Sequence, residues 1–489
     1  MAQAHLERLT ALDAAFLHLE RASTHMHVGA VVLFGGPPPR RDELLAVLRS
    51  RLHLLPRYRQ RLTFPPGFTR RPLWADDPAF DLERHVRRAE LPPPGAETAL
   101  LDLTARIWSE PLDRSRPLWE LWLVDGLAGG RFALVLKTHH AMIDGMAGVD
   151  LARLLFDAVR APADDASAGA GDAWSPAPEP TRGALLATGA RGALRAAAQA
   201  AAVAARALAR PRTSLRATRA AASGLGAVIR LVAHRAPRTP LNVPIGTHRR
   251  YAVVRADLAD VRLVKDAFGG TVNDVLLAVV AGALRTWLRE RGVRTEGLDL
   301  HALVPVSIRA EHERGAMGNR LTVMRGSLPV EIEDPIPRLR AVRGAMEGVK
   351  ASGQAGGVKA LTGLGGLAPP AILALAARLA VSPRLFNAIV TNIPGPQAPL
   401  YLLERELLDV FPVAFLPRDH ALAVAIASYN GRIGFGLLGD RDALPDIDVL
   451  ARGIESALAE LVEEARSYAP GSPAPDGGGA TGAPSGAAR

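Results

Sequence analysis

Composition interrupts this chain twice, and those interruptions limit what it can fold into. Residues 1–158 and residues 241–468 mix apolar, polar and charged side chains as folded domains do. Between them, residues 159–180, VRAPADDASAGAGDAWSPAPEP, form a Pro/Ala linker, and residues 181–240 are dominated by Ala and Arg. Residues 469–489 are rich in Pro, Gly and Ala and read as a disordered tail. The expectation is two folded halves joined by a long basic segment, in a chain of 489 residues that is 48% apolar.

The formal net charge of +10 resides in that segment. From Arg182 to Pro240 there are eleven arginines and no acidic residue, which leaves the remainder close to neutral. Such a segment favours nucleic acid or an anionic lipid surface. Nucleic-acid binders stack bases on aromatic rings, and this stretch holds no Phe, Trp or Tyr. No helix-turn-helix or zinc spacing accompanies it, so lipid is expected and nucleic acid is not. At helical spacing Arg191, Arg195, Arg206 and Arg210 share one side, with Leu186, Leu194 and Leu208 opposite, as far as Pro211. That pattern fits either a solvated linker helix or an interfacial helix at a membrane.

Cysteine is absent, which excludes disulfides, thiolate metal sites and a cysteine nucleophile. The amino-terminal MAQAHLERLTALDAAFLHLE is charged throughout and lacks a signal-peptide core. Leu367–Val381 is weakly charged and apolar, but it is shorter than the ~20 residues a bilayer needs and contains Pro369, Pro370 and Arg378. A cytoplasmic protein is expected, with peripheral contact to a membrane or lipid droplet.

Alternating apolar residues predict strands at HVGAVVLF, WELWLVDG, RFALVLKT, RYAVVRADL, LHALVPVSI, LFNAIVTNI, ALAVAIASYN and RIGFGLLGD. A long helix is predicted at VNDVLLAVVAGALRTWLRERG, and an amphipathic one at GMAGVDLARLLFDAV. The fold class is mixed α/β without the strict alternation of a doubly wound sheet.

The chemistry concentrates in LKTHHAMIDGMAG, Leu136 to Gly148, where a strand ends before a helix begins. A metal site is disfavoured, since neighbouring strand residues point to opposite faces and no second His/Asp/Glu cluster is apparent nearby. Packed core histidines are the bland alternative. A general base fits better, because imidazole titrates near ~6.5 and can take the proton of an attacking hydroxyl. No Gly-x-Ser-x-Gly elbow exists, so direct transfer in a ternary complex is favoured over an acyl-enzyme.

HHAMIDG, His139 to Gly145, resembles the His-His-x-x-x-Asp-Gly motif of the CoA-dependent acyltransferase superfamily, to which chloramphenicol acetyltransferase and condensation domains belong. More narrowly, the chain resembles the bacterial wax ester synthase/diacylglycerol acyltransferase family. Further matches are LTALDAAFLHLE, MHVGAVVLF, RPLWELWLVDGL, TVNDVLLA, PVSIR, GNR, TNIPGP and GFGLLGDRDALPD. The resemblance spares only the Ala/Arg segment and the tail. Thr391 stands where the family more often has serine, and the plant-type Asp-Phe-Gly-Trp-Gly motif is absent.

The resemblance implies two chloramphenicol-acetyltransferase-like subdomains, mixed sheets flanked by helices, with an active-site tunnel at their interface. It implies acyl-CoA as co-substrate with no other cofactor and no metal, and a lipid alcohol or diacylglycerol as acceptor. His140 matches the general base, while His139 and Gly145 match positions that shape the loop. Asp144 matches an anchoring residue, for which Arg309 is the expected partner. Asn273 matches a chamber residue able to donate to the oxyanion, and Pro117, Leu118, Trp119 and Asp274 match substrate-binding motifs. A carrier-linked condensation domain or an inactive lipid-binding relative is the alternative.

Overall fold

A computed structural model describes residues 6–65, 72–142, 155–160, 174–209, 235–307, 321–351, 382 and 384–468. The predicted amphipathic helix after the histidines begins outside these residues, and only 155–159 of it can be placed.

Two mixed sheets organise the described residues. The first runs β12 (Tyr401–Leu402), β13 (Arg405–Val413), β2 (His27–Gly35), β7 (Arg131–His139), β6 (Trp119–Leu127), β5 (Val86–Glu90). The second runs β10 (Leu321–Pro329), β9 (Asp299–Ser307), β11 (Ala388–Pro394), β14 (Leu422–Tyr429), β15 (Arg432–Asp440), β8 (Arg249–Asp257). A small sheet of β1 (Glu7–Arg8), β4 (Leu73–Asp76) and β3 (Gln60–Thr63) accompanies the first. The pairs β5–β6, β9–β11 and β11–β14 are parallel and the rest antiparallel. Every strand predicted from alternation is present, in agreement with the mixed α/β expectation.

The helices that matter here are α1 (Ala11–Leu19), α2 (Arg41–Arg51), α3 (Glu97–Ser109), α4 (Arg182–Ala209), α5 (Leu258–Phe268), α6 (Val272–Glu290), α7 (Pro335–Ala351) and α8 (Ile447–Ser467). Helix α6 is the long predicted helix. Thr271 starts it with a capping box, its hydroxyl accepting from the Asp274 amide while Asp274 accepts from the Thr271 amide. Leu276, Leu277, Val279, Val280, Ala283 and Leu284 are all buried, because α6 packs against α7, α8 and the second sheet and has almost no wet face. No single described helix is long and apolar enough to cross a membrane; the apolar pair α5–α6 is sharply bent and belongs to this core.

Strand β13 crosses from one half of the sequence to the other. It comes from the C-terminal half of the sequence yet pairs with β2 in the first sheet, with Phe411 opposite Val31 and Val413 opposite Gly29. Its backbone also lies against β15. A Cβ on Gly434 would sit 2.1 Å from the Val410 carbonyl oxygen, and one on Gly436 would sit 1.9 Å from that of Pro412. The glycines of GFG therefore permit a backbone-to-backbone approach that no other residue allows. The Tyr251 hydroxyl donates toward the carbonyls of Phe411 and Pro412, and burial raises its pKa well above the ordinary value. Arg255 adds a bidentate bond to Glu97 and another to Asp409, so β8, α3 and β13 are tied together.

Between the two sheets lies a shared core. Met26, Val31, Leu33, Trp108 and Val135 from the first half meet Phe386, Ile389, Phe411, Phe415 and Ala425 from the second. Gly436→Val should therefore cost about 1–3 kcal/mol or abolish folding, as overpacked cores do. Gly344→Ala, on the exposed face of α7 with open space around it, should instead stabilise by about 0.5–1 kcal/mol. Urea unfolding of the two variants against the parent chain checks both signs.

Candidate active site

The site is assembled where β2 and β7 end together. Their register sets His27 opposite His139, and the His140 amide then donates to the Met26 carbonyl at 2.8 Å. His139 faces inward and is buried, its Nδ1 accepting from the Ala141 amide at 3.0 Å. That bond leaves the proton of a neutral His139 on Nε2, which lies 3.4 Å from Glu20 Oε2.

His140 turns the other way, as consecutive strand residues do. Its ring stacks on Phe16 of α1 with centroids 4.0 Å apart, and Phe415, just past β13, meets it edge-on at 5.6 Å. Residues from both halves of the sequence thus enclose it. Nδ1 is buried with no hydrogen-bond partner among the described residues. Burial pulls the His140 imidazole down to about 4, its own backbone opposing and the neighbouring His139 assisting. At neutral pH the ring is uncharged and able to accept a proton.

Behind the pair lies a cluster that sequence reasoning missed, and it corrects the expectation that no second His/Asp/Glu cluster is near. Glu20 is the C-cap of α1, its amide donating to the Phe16 carbonyl. Its carboxylate accepts from Arg114 Nε at 3.0 Å and lies near His25, His27 and His139. Burial pushes the Glu20 carboxyl up, but His139, His27 and Arg114 outweigh it and hold the group well below the carboxylate range. Burial in turn lowers His25, and lowers His27 to about 3. Lys137, on the same face of β7 as His139, donates from Nζ to the carbonyls of Ile107 and Glu110 at the end of α3, and burial lowers it to about 8. The missed signal was HMH leading into β2, whose spacing of two sets both rings on one face.

The remaining expected residues lie on other elements. Pro117 and Leu118 are buried in the first half, and the Leu118 carbonyl accepts from the His139 amide at 2.9 Å. Trp119 stacks on His85, donates from its indole to the Tyr58 carbonyl, and walls a small apolar cavity with Leu48, Leu52, Leu136 and Leu155. Asp274, expected to bind substrate, is buried with Oδ2 engaged in the α6 capping box. Asn273 is half-buried on the first turn of α6, and its amide makes no hydrogen bond among the described residues. Asp144, Gly145 and Arg309 lie outside the described residues.

The same overall fold is found among condensation domains. The first condensation domain of the CDA synthetase matches with a TM-score of 0.57 at 18% identity, over 95% of this chain and 97% of that one. That likeness fixes the fold. A family model for the wax ester synthase/diacylglycerol acyltransferase catalytic domain matches residues 9–276, and one for the WS/DGAT C-terminal domain matches residues 317–462. The solved wax ester synthase/diacylglycerol acyltransferase from Marinobacter aquaeolei VT8 matches with a TM-score of 0.64 and 29% identity, over 94% of this chain and all of that one. Two curated relatives from Mycobacterium tuberculosis are similar along their length. "Probable diacyglycerol O-acyltransferase tgs1" is 36% identical over 94% of this chain and 96% of its own. "Probable diacyglycerol O-acyltransferase tgs2" is 34% identical over 92% and 97%. The chain belongs to the wax ester synthase/diacylglycerol acyltransferase family and is an acyltransferase. The condensation-domain alternative is a distant neighbour in fold.

Burial has a consequence for pH. His140 and His420, the latter stacked on Phe386, are each held at about 4 by burial, below the ~6.5 of an unfolded chain. As pH falls below 6.5 the unfolded chain takes up protons that the folded chain refuses. Stability is therefore complete above that value and falls by about 1.4 kcal/mol per pH unit for each group down to its folded pKa. Urea midpoints at pH 7.5 and pH 5 should differ accordingly, and His420→Gln should narrow the difference. Equal midpoints would show that the rings are not buried in the neutral form.

Proposed function

We propose that this acyltransferase carries a long-chain acyl group from acyl-CoA to the hydroxyl of a diacylglycerol, with a fatty alcohol as an alternative acceptor, and that His140 is the general base. The observation that carries this is the uncharged His140 ring at the seam, clasped by Phe16 from one half and Phe415 from the other. The names of the tgs1 and tgs2 relatives support diacylglycerol as acceptor, and the Marinobacter relative supports the wax ester alternative.

The step needs no enzyme-bound intermediate. With Nδ1 buried, Nε2 is the nitrogen placed to take the acceptor's hydroxyl proton as its oxygen attacks the thioester carbonyl. The tetrahedral intermediate collapses by breaking the carbon–sulfur bond, and His140 returns the proton to the departing CoA thiolate. Ester and free CoA result. Phe16 and Phe415 keep water from the base, which protects the thioester from hydrolysis. The free Asn273 amide is the oxyanion donor, a role worth about 3 kcal/mol. The substrates reach the seam through a tunnel between the halves.

Helix α4 is the lipid-facing element of the same reading. Arg191 and Arg195 are exposed, and so are Leu186 and Leu194, 53% and 70% accessible. Leu185 is buried, and Arg8 donates to the carbonyls of Thr188 and Gly189, which fastens the helix to the first half. Exposed leucines beside arginines suit the surface of an anionic bilayer or lipid droplet. The protein thus works at the cytoplasmic face of a lipid phase without crossing it.

The deciding assay offers one long-chain acyl-CoA with diacylglycerol or a fatty alcohol and follows ester and CoA. His140→Ala should lose about 10²–10⁴ in rate with its fold intact. His139→Ala should lower the melting temperature as well, since that ring is buried between Glu20 and Ala141. A folded His140→Ala enzyme of undiminished activity overturns the mechanism. Reversing Arg191 and Arg195 to Glu should weaken binding to anionic vesicles, each arginine contributing up to about 1 kcal/mol. Turnover of a soluble short-chain alcohol should be spared. Binding that ignores both the reversal and added salt would leave α4 a linker.

A further inference from the structure

We propose that Glu20, His25 and His27 form a binding site for one divalent cation of the zinc class, set behind the catalytic histidines and separate from the acyl-transfer step. One donor atom from each of the three lies within 4.8 Å of the others. Glu20 Oε1 is 3.4 Å from His27 Nε2 and 3.9 Å from His25 Nδ1. Both separations exceed a good hydrogen bond. The shorter one equals the edge, about 3.4 Å, of a tetrahedral shell whose bonds are about 2.1 Å long.

The unpartnered atoms point the same way. His27 is completely buried, and neither of its ring nitrogens has a hydrogen-bond partner among the described residues. His25 Nε2 is also buried and unpartnered, while its Nδ1 faces the carboxylate. Folded proteins rarely leave so many buried nitrogens unanswered. The carboxylate has already divided its work: Oε2 accepts from Arg114 and faces His139, while Oε1 faces the two other imidazoles.

The scaffold is rigid enough to hold such a site. Glu20 closes α1, Arg21 and Thr24 exchange backbone hydrogen bonds across the turn, and His27 opens β2 in register with His139. The surroundings also select the ion. One carboxylate cannot satisfy the several oxygens that calcium or magnesium demands. Two imidazoles with one carboxylate suit zinc or its divalent neighbours, with water completing the shell. The ion would pin the α1–β2 turn beneath β7 and so steady the end of the strand from which His140 projects.

The test uses the full chain, freed of metal by a chelator. Zinc titrated calorimetrically should bind with a stoichiometry of one, and zinc should raise the melting temperature of the stripped protein. Cobalt at the same site should give the visible absorption of a four-coordinate ion. X-ray absorption at the zinc edge of the wild-type protein should read two imidazoles. His25→Ala, or His25→Gln if the first variant folds poorly, should weaken zinc at least tenfold while His140-dependent transfer continues. No binding to the wild type, a shell with fewer than two imidazoles, or unchanged zinc affinity in a folded His25 variant overturns the proposal. Loss of transferase activity in His140→Ala with zinc still bound separates this inference from the mechanism above.

Discussion

The close approach of β13 to β15 is the contact on which the site depends. A strand from the second half of the sequence can join the first sheet only if its backbone may lie against its own half on the way. Gly434 and Gly436 allow that, with the carbonyls of Val410 and Pro412 in the space their side chains would fill. The chain then delivers Phe415 to the edge of His140. Without this crossing the two halves would be neighbours on a string, and the imidazole would have one wall.

A second constraint is electrostatic. The end of β7 buries Lys137 and His139 beside His25 and His27 at the start of β2, a group that would repel itself if protonated. Two devices prevent that. Burial holds His25 and His27 in the neutral form, and the carbonyls ending α3 absorb the Lys137 ammonium. The ionised Glu20 supplies the compensating charge from the end of α1. A short helix, a turn and a strand edge thereby support the histidine that faces the seam, although none of them carries the motif itself.

Much of this was legible in the sequence, because the relevant signals are local. Alternation gave β2, β6, β7, β8, β9, β11, β14 and β15, and continuous apolar spacing gave α6. The break in composition separated two stretches, and His139 and His140 announced themselves by position. What stayed hidden depended on distant partners. Strand β13, RELLDVFPV, carries Asp409 on its buried side and a proline, so it reads as a loop until Arg255 and Arg432 are seen to neutralise the aspartate. Asp274 reads equally well as a ligand or as a cap, and only the bond to Thr271 assigns it to the helix. Glu20 lies more than one hundred residues from His139 in sequence, and pattern alone gives no reason to join them.

The direction of His140 explains why two adjacent histidines are needed at all. On a strand end one ring must face the core and the other the seam. The inward ring, His139, is bound at Nδ1 by the Ala141 amide and turns Nε2 toward the Glu20 carboxylate 3.4 Å away, so it faces the buried cluster and not the seam. Those same contacts fix the backbone from which His140 projects. The outward ring is free of such partners, stacked between aromatic walls, and uncharged. A base with a pKa near 4 is a weak one in water. In the mechanism we propose, its usefulness would come from position, since an oriented acceptor beside the hydroxyl replaces the loss of a proton to bulk solvent. The low basicity leaves the ring unprotonated at rest, and in that proposed step it would make the return of a proton to a departing thiolate downhill.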